Sequence, residues 1–184
     1  MQVCLKTTLT LMLTFFSSSA ALAATEYQRL FSKGKWSVDL NYPKSGEYTW
    51  CSADTYSSSQ AFSLNAWDDQ TFSISVFDDN WNLAPRDVVF QVQVDNRTNW
   101  TMNGSASDSS VYIFPDDLEK TATFLEEVMQ GNVVRVRNQN GATVAQFSLS
   151  GSYASTLQLF ECMKMIGWGN SSSDPFGNSS DPFR

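Results

Sequence analysis

The groups in this chain that could do chemistry are few, and their spacing limits what they can do. There is no histidine, which removes Ser-His-Asp and Cys-His nucleophile systems and every histidine-ligated zinc site. Cys4, Cys51 and Cys162 are the only cysteines. They are too few for a four-thiolate metal site and form no C-x-x-C pair. Ser-Lys chemistry needs a lysine poised in a pocket, which the sequence does not mark, and no glycine-rich phosphate loop is present. Carboxylates remain, as the adjacent pairs Asp68-Asp69, Asp78-Asp79 and Asp116-Asp117. A glycosidase needs two carboxyl groups facing each other across a sugar, about 5–10 Å apart, whereas neighbours on a strand point to opposite faces. The pairs therefore read as a hairpin turn, a loop and a helix start favoured by the helix dipole. Asp78, Asp79 and Asn80 offer oxygens to calcium, but without a twelve-residue EF-hand loop. The expectation is no catalytic residue, no metal and no cofactor.

The same residues say where the chain works. Residues 1–24, MQVCLKTTLTLMLTFFSSSAALAA, carry one charge, Lys6, then an apolar core from Leu9 to Phe16, then Ala21-Leu22-Ala23. A positive start, a short apolar core and an A-x-A site make a secretory signal, too short for a membrane span of about 20 apolar residues. Cys4 precedes the core, so it is not a lipidation site, and cleavage removes it. Cys51 and Cys162 survive and should pair in an oxidising compartment, periplasmic or extracellular. The bridge closes a loop of about 110 residues, for which chain-entropy arguments give roughly 4–5 kcal/mol. That is a large share of a folding free energy of about 5–15 kcal/mol.

The chain has 184 residues, 12 basic and 19 acidic, with a formal charge of −7. An acidic domain without a basic run should repel nucleic acid and anionic membranes. The residues left after processing suffice for one domain. The six tryptophans, spread from Trp36 to Trp168, read mostly as core or half-buried sheet residues, with an aromatic ligand face as the alternative.

The elements that would position these groups are mostly strands. Period-two alternation marks Trp36, Val38 and Leu40; Phe62 and Leu64; Phe72, Ile74 and Val76 after a turn at Asp68-Asp69; and Val88, Phe90, Val92 and Val94. Trp100 with Met102, and Val111 with Ile113, suggest two more. Val133–Arg137 and Thr143–Leu149 should form a tight hairpin, with Asn140-Gly141 supplying positive φ. A helix should follow Pro115, capped by Asp116 with Glu119 three residues on, burying Leu118, Ala122, Leu125 and Met129, and ending at Gly131 as a C′ glycine. A second should run from Tyr153 to Ile166, capped by Ser152, stopped by Gly167 and burying Leu157, Phe160, Met163 and Ile166. Cys162 lies on it, so the disulfide would pin this helix to the strand bearing Cys51.

The expected fold is mainly β with two short α-helices, a β-sandwich-like single domain with one disulfide over residues 25–168. Residues 169–184 contain NSSSDPF and NSSDPF, a short imperfect repeat with too little apolar surface to fold. They read as a flexible tail, with Phe176 and Phe183 as possible partner-binding anchors. Asn96, Asn99, Asn103, Asn170 and Asn178 sit in N-x-Ser/Thr sequons, usable only on a eukaryotic secretory route.

The stretch from Val111 to Cys162 resembles the bacterial invasion-associated locus B family of exported proteins. The matching parts are Gly131, Asn140-Gly141, Ser148-Leu149-Ser150-Gly151 and the helix from Tyr153; in the N-terminal half, Trp36-Ser37-Val38 followed by a cysteine adds to them. The resemblance covers about a third of the chain. It implies a compact β-sandwich-like domain in the periplasm or at the cell surface, and no reaction. The functional expectation is a non-enzymatic binding or envelope-associated protein with a protein or glycan partner. The alternatives are a secreted inhibitor of a hydrolase such as a lysozyme, whose basic surface an acidic domain would suit, and a carboxylate-dependent glycan hydrolase.

Overall fold

The computed structural model describes residues 25–169 other than Ser45 and Glu47. Residues 1–24, expected to be a secretory signal, and residues 170–184, with Phe176 and Phe183, lie outside the described residues. Ten strands form one antiparallel sheet: β1 (Thr25–Lys33), β2 (Trp36–Pro43), β3 (Trp50–Ser57), β4 (Gln60–Trp67), β5 (Phe72–Asp78), β6 (Leu83–Val94), β7 (Asn99–Asp108), β8 (Ser110–Ile113), β9 (Val133–Arg137) and β10 (Thr143–Ser148). Their order is β1-β2-β3-β4-β5-β8-β7-β6-β9-β10. Two helices, α1 (Leu118–Gln130) and α2 (Ser152–Met165), complete the fold. No helix among the described residues is long and apolar enough to cross a membrane.

The sheet folds over itself, so that its β10 end lies across β2, β3 and β4 as a second layer. The carbonyl of Ser148 accepts from Trp36 Nε1 at 3.0 Å and from Thr55 Oγ1 at 3.3 Å, and the rings of Phe62 and Phe147 lie 5.9 Å apart. Where the layers meet, a Cβ on Gly151, at φ +105°, would stand 2.0 Å from the Lys33 carbonyl oxygen, so only glycine fits this crossing. Between the layers lie the inward members of each alternation: Trp36 and Val38, Phe62 and Leu64, Ile74 and Val76, Val92 and Val94, Val134 and Val136, all at most 3% exposed. The mainly β architecture expected from period two, in the sandwich-like form that the family resemblance implies, is the architecture observed.

The helices differ in detail from their sequence reading. Asp117, not Asp116, caps α1, its carboxylate accepting from Lys120 N at 3.0 Å. The buried face is Phe124 and Val128, while Leu118 is 86% exposed, a rotation that lets Phe124 meet Trp100 edge-on at 5.8 Å. Gly131 does end the helix, but at φ −83°; a Cβ there would meet Val94 Cγ1 at 2.3 Å and Leu149 Cδ1 at 2.8 Å. Packing, not a left-handed turn, excludes a side chain there. In α2 the cap is Gly151 and Ser152 lies inside, donating from Oγ to the Val128 carbonyl at 2.7 Å. The inner face is Ser152, Ser155, Thr156, Leu159 and Cys162, and Leu157 is 42% exposed. Small side chains let α2 approach α1 and the sheet closely; of the apolar residues expected inside, Met163 and Ile166 do pack against the core, half-buried, and Leu157 does not. Gly167 stops the helix at φ +97°. The Asn140-Gly141 hairpin forms with a three-residue loop: Asn138 N donates to Ala142 O, and Gly141 alone takes positive φ. This is a type I turn with a bulge rather than a two-residue turn.

Candidate functional site

Cys51 and Cys162 are bonded, with Cα atoms 6.0 Å apart and a separation of 111 positions in sequence. Both are fully buried on the inner side of the sheet. The bridge and Leu159 hold α2 against that side of β1, β2 and β3; on the opposite face the polar side chains of Ser37, Asp39, Ser52, Asp54, Ser63, Asn65 and Ser73 are themselves at most 9% exposed.

That opposite face is built from the polar members of each alternation. Register aligns Ser37 with Asp54, Asp54 with Ser63, Ser63 with Ser75, Ser75 with Tyr112, Tyr112 with Ser105 and Ser105 with Asp87. One continuous row of short polar groups thus crosses from β2 to β6, broken by a single aromatic ring. A second row runs beside it, through Arg29, Asp39, Ser52, Asn65 and Ser73. Hydroxyls and amides stitch the floor: Ser52 Oγ donates to Asp54 at 2.7 Å, and Asn65 Nδ2 to Ser73 and Ser75 at 3.4 and 3.2 Å.

The carboxylates of this floor are Asp39 and Asp54, diagonal neighbours on adjacent strands. Arg29 forks onto Asp39 through Nε and Nη2, the latter at 3.1 Å, a bidentate charge-assisted pair. The guanidinium also lies 6.0 Å from the Tyr27 ring centroid. Asp54 has no cation of its own. Burial pushes its carboxyl up, against the lowering pull of the Ser63 and Ser52 hydroxyls. Neither residue belongs to an adjacent pair, so sequence reasoning missed both. The only available signal was the recurrence of Ser, Asn or Asp at the positions alternating with the apolar ones.

Aromatic side chains border the floor. Tyr112 stacks on Phe114 at 6.5 Å and 21°, and Phe114 lies against Trp67 at 6.3 Å and 34°. Trp50 is the cross-strand partner of Trp67 and packs on Tyr48 at 6.2 Å. Phe114 is 56% exposed and Tyr112 38%. Trp168 Nε1 donates to the Trp67 carbonyl and fastens the end of the domain here. Beside Tyr112 and Phe114 a depression of about 470 Å³ is lined by Asn103, Ser105 and Asp87. Of the tryptophans only Trp36 is fully buried; Trp50 and Trp67 belong to this border.

The adjacent carboxylate pairs do the structural work expected of them. Asp68 accepts from Thr49 N, and Asp69 from Thr71 N in the β4–β5 turn. Asp78 spends its oxygens on Gln60, Asn80 and Ser59, and the Gln60 bond is the main cause of its lowered pKa. Among the described residues no cluster of three or more acidic or thiol groups stands ready for a metal. Asn96, Asn99 and Asn103 are exposed. Ser32 and Lys35 stand at S-x-x-K spacing, which the sequence reading passed over, but across the β1–β2 turn, with Ser32 Oγ donating to the Trp36 carbonyl. No protein family, no curated protein and no solved structure matches the chain.

Proposed function

We propose that this is an exported, non-enzymatic binding protein of the bacterial envelope, and that its outer sheet face holds a glycan. One observation carries the reading: the exposed Tyr112 and Phe114 rings, with Trp67 against Phe114, stand beside a depression lined by the exposed polar side chains of Asp87, Asn103 and Ser105. Sugar rings present hydroxyls at their edges and C–H groups on their faces. Fixed donors and acceptors suit the former and aromatic faces the latter, and rings held by a sheet lose little entropy on binding. Export, the periplasmic setting and kinship with the invasion-associated locus B family belong to the same proposal, supported by the signal-like N-terminus and the order of motifs from Val111 to Cys162.

Asp39 and Asp54, diagonal neighbours on adjacent strands, favour one second reading, a glycan hydrolase whose two carboxyl groups share the catalytic roles. One experiment separates the two. The purified protein is incubated with isolated peptidoglycan and envelope polysaccharide, and bound protein and released products are both measured. Binding without products, and at least tenfold weaker binding by the Tyr112→Ala/Phe114→Ala variant at unchanged melting temperature, is the expected result. Turnover that Asp54→Asn abolishes overturns the non-enzymatic reading; equal binding by the aromatic variant overturns the assignment of the face.

A further inference from the structure

Of the residues that line the depression beside Tyr112 and Phe114, Asp87 alone is charged; Asn103, Ser105 and Gln139 supply the neutral polar groups. All four are exposed. No side-chain hydrogen bond joins them to another described residue, whereas the groups of the buried floor are locked to one another, as Ser52 is to Asp54 and Asn65 to Ser73. Asp87 also stands outside the ion pairs among the described residues, which join Arg29 to Asp39, Lys44 to Glu26, Lys120 to Asp117 and Lys164 to Glu161. An adjoining depression that shares Asp87 and Gln139 brings in Arg86 and Arg137. Arg86 donates to the Ala84 carbonyl at 3.3 Å, and Arg137 to the Gly141 carbonyl and Gln93 Oε1 at 3.4 and 3.3 Å. Neither pairs with Asp87.

The sheet fixes the distance between this carboxylate and the rings. Tyr112, Ser105 and Asp87 are in register on β8, β7 and β6, so Tyr112 and Asp87 stand two strand spacings apart, roughly 10 Å. An aromatic ring attracts a cation placed over its face. A carboxylate holds an ammonium by charge-assisted hydrogen bonds. A chain with a formal charge of −7 draws cations toward its surface. An exposed carboxylate without a partner, set beside exposed rings, therefore selects a ligand that carries positive charge.

We propose that the ligand of this site is an amino-sugar chain whose amino groups are free and protonated. The inference rests on the glycan reading of the face and narrows it to one class of glycan. One sugar stacks on Tyr112 and Phe114, the ammonium of the next meets Asp87, and Asn103, Ser105 and Gln139 hold hydroxyls between and beyond them.

The test titrates the purified protein calorimetrically with the tetramers of glucosamine and of N-acetylglucosamine, which share a backbone and differ in charge, in mildly acidic, low-salt buffer. The glucosamine tetramer should bind about tenfold more tightly, the combined size of an exposed charge pair and a cation–π contact, and the ratio should shrink as salt is added. Asp87→Asn should bring the ratio close to one, and Asp87→Glu should keep most of it. Glu126→Gln, the same charge change on the exposed side of α1, should keep it in full, which separates a site from the general attraction of an acidic protein for a cation. Equal binding of the two tetramers, a ratio that survives Asp87→Asn, or one that Glu126→Gln reduces as much as Asp87→Asn overturns the amino-sugar assignment and leaves the glycan reading standing. Binding of neither tetramer also overturns it; the glycan reading falls with it only if peptidoglycan and envelope polysaccharide are not bound either.

Discussion

Asp54 is the residue whose environment departs furthest from its chemistry. It is a carboxyl 7% exposed on the sheet face opposite α2, with hydroxyl donors but no cation of its own. Its pKa is raised by burial, so over the window from the ordinary carboxylate value, about 3.9, up to its raised value the folded state keeps a proton that the unfolded chain has lost. Stability therefore falls as pH rises through that window. Asp54→Asn removes this loss. Its melting temperature minus that of the wild type should grow as pH rises from 4, and be smallest near pH 3; thermal melts between pH 3 and 8 measure it. A difference that stays flat or shrinks contradicts the assignment. Asp95 has the opposite sign: burial works to raise it, but the N–H groups of Asn132 and Val133 outweigh that and hold it low. Its contribution is present above the ordinary carboxylate range and is lost in acid, in both proteins alike.

At the scale of elements, the disulfide joins α2 to β3 through cysteines 111 positions apart in sequence. Replacing both cysteines by alanine should cost about 2–5 kcal/mol, read from denaturant midpoints in the purified protein. A midpoint unchanged on reduction would mean that Leu159 and the Ser152–Val128 hydrogen bond hold α2 without it. The strands of the core were legible because burying one face of a sheet forces period two, and Val88 to Val94 show it plainly. β1 was not legible: TEYQRLFSK lies at the sheet edge, mostly exposed, with a bulge between Arg29 and Phe31. Such an edge has no apolar face to display. The helices were legible in extent but only partly in face: Leu125, Met163 and Ile166 pack on the core, while α2 also buries Ser152, Ser155 and Thr156, which no hydrophobicity pattern selects. Pairing of the cysteines followed from compartment chemistry alone. The row Ser37, Asp54, Ser63, Ser75 and Tyr112 could not be read, since cross-strand neighbours depend on register and on the order in which β8 follows β5.

The whole molecule is a sheet folded over one core, with its outer β2–β8 face lined by short polar groups and bordered by rings. Neither α1 nor α2 lies on that face. The direct test follows backbone amide shifts of the isotopically labelled protein as soluble peptidoglycan fragments are added. The account predicts saturable shifts concentrated at Ser63–Trp67, Ser73–Ser75 and Tyr112–Phe114, and little change at the Arg135 and Arg137 positions of β9. Shifts confined to β6, β9 and β10, or no saturable shift with any envelope glycan, would contradict it.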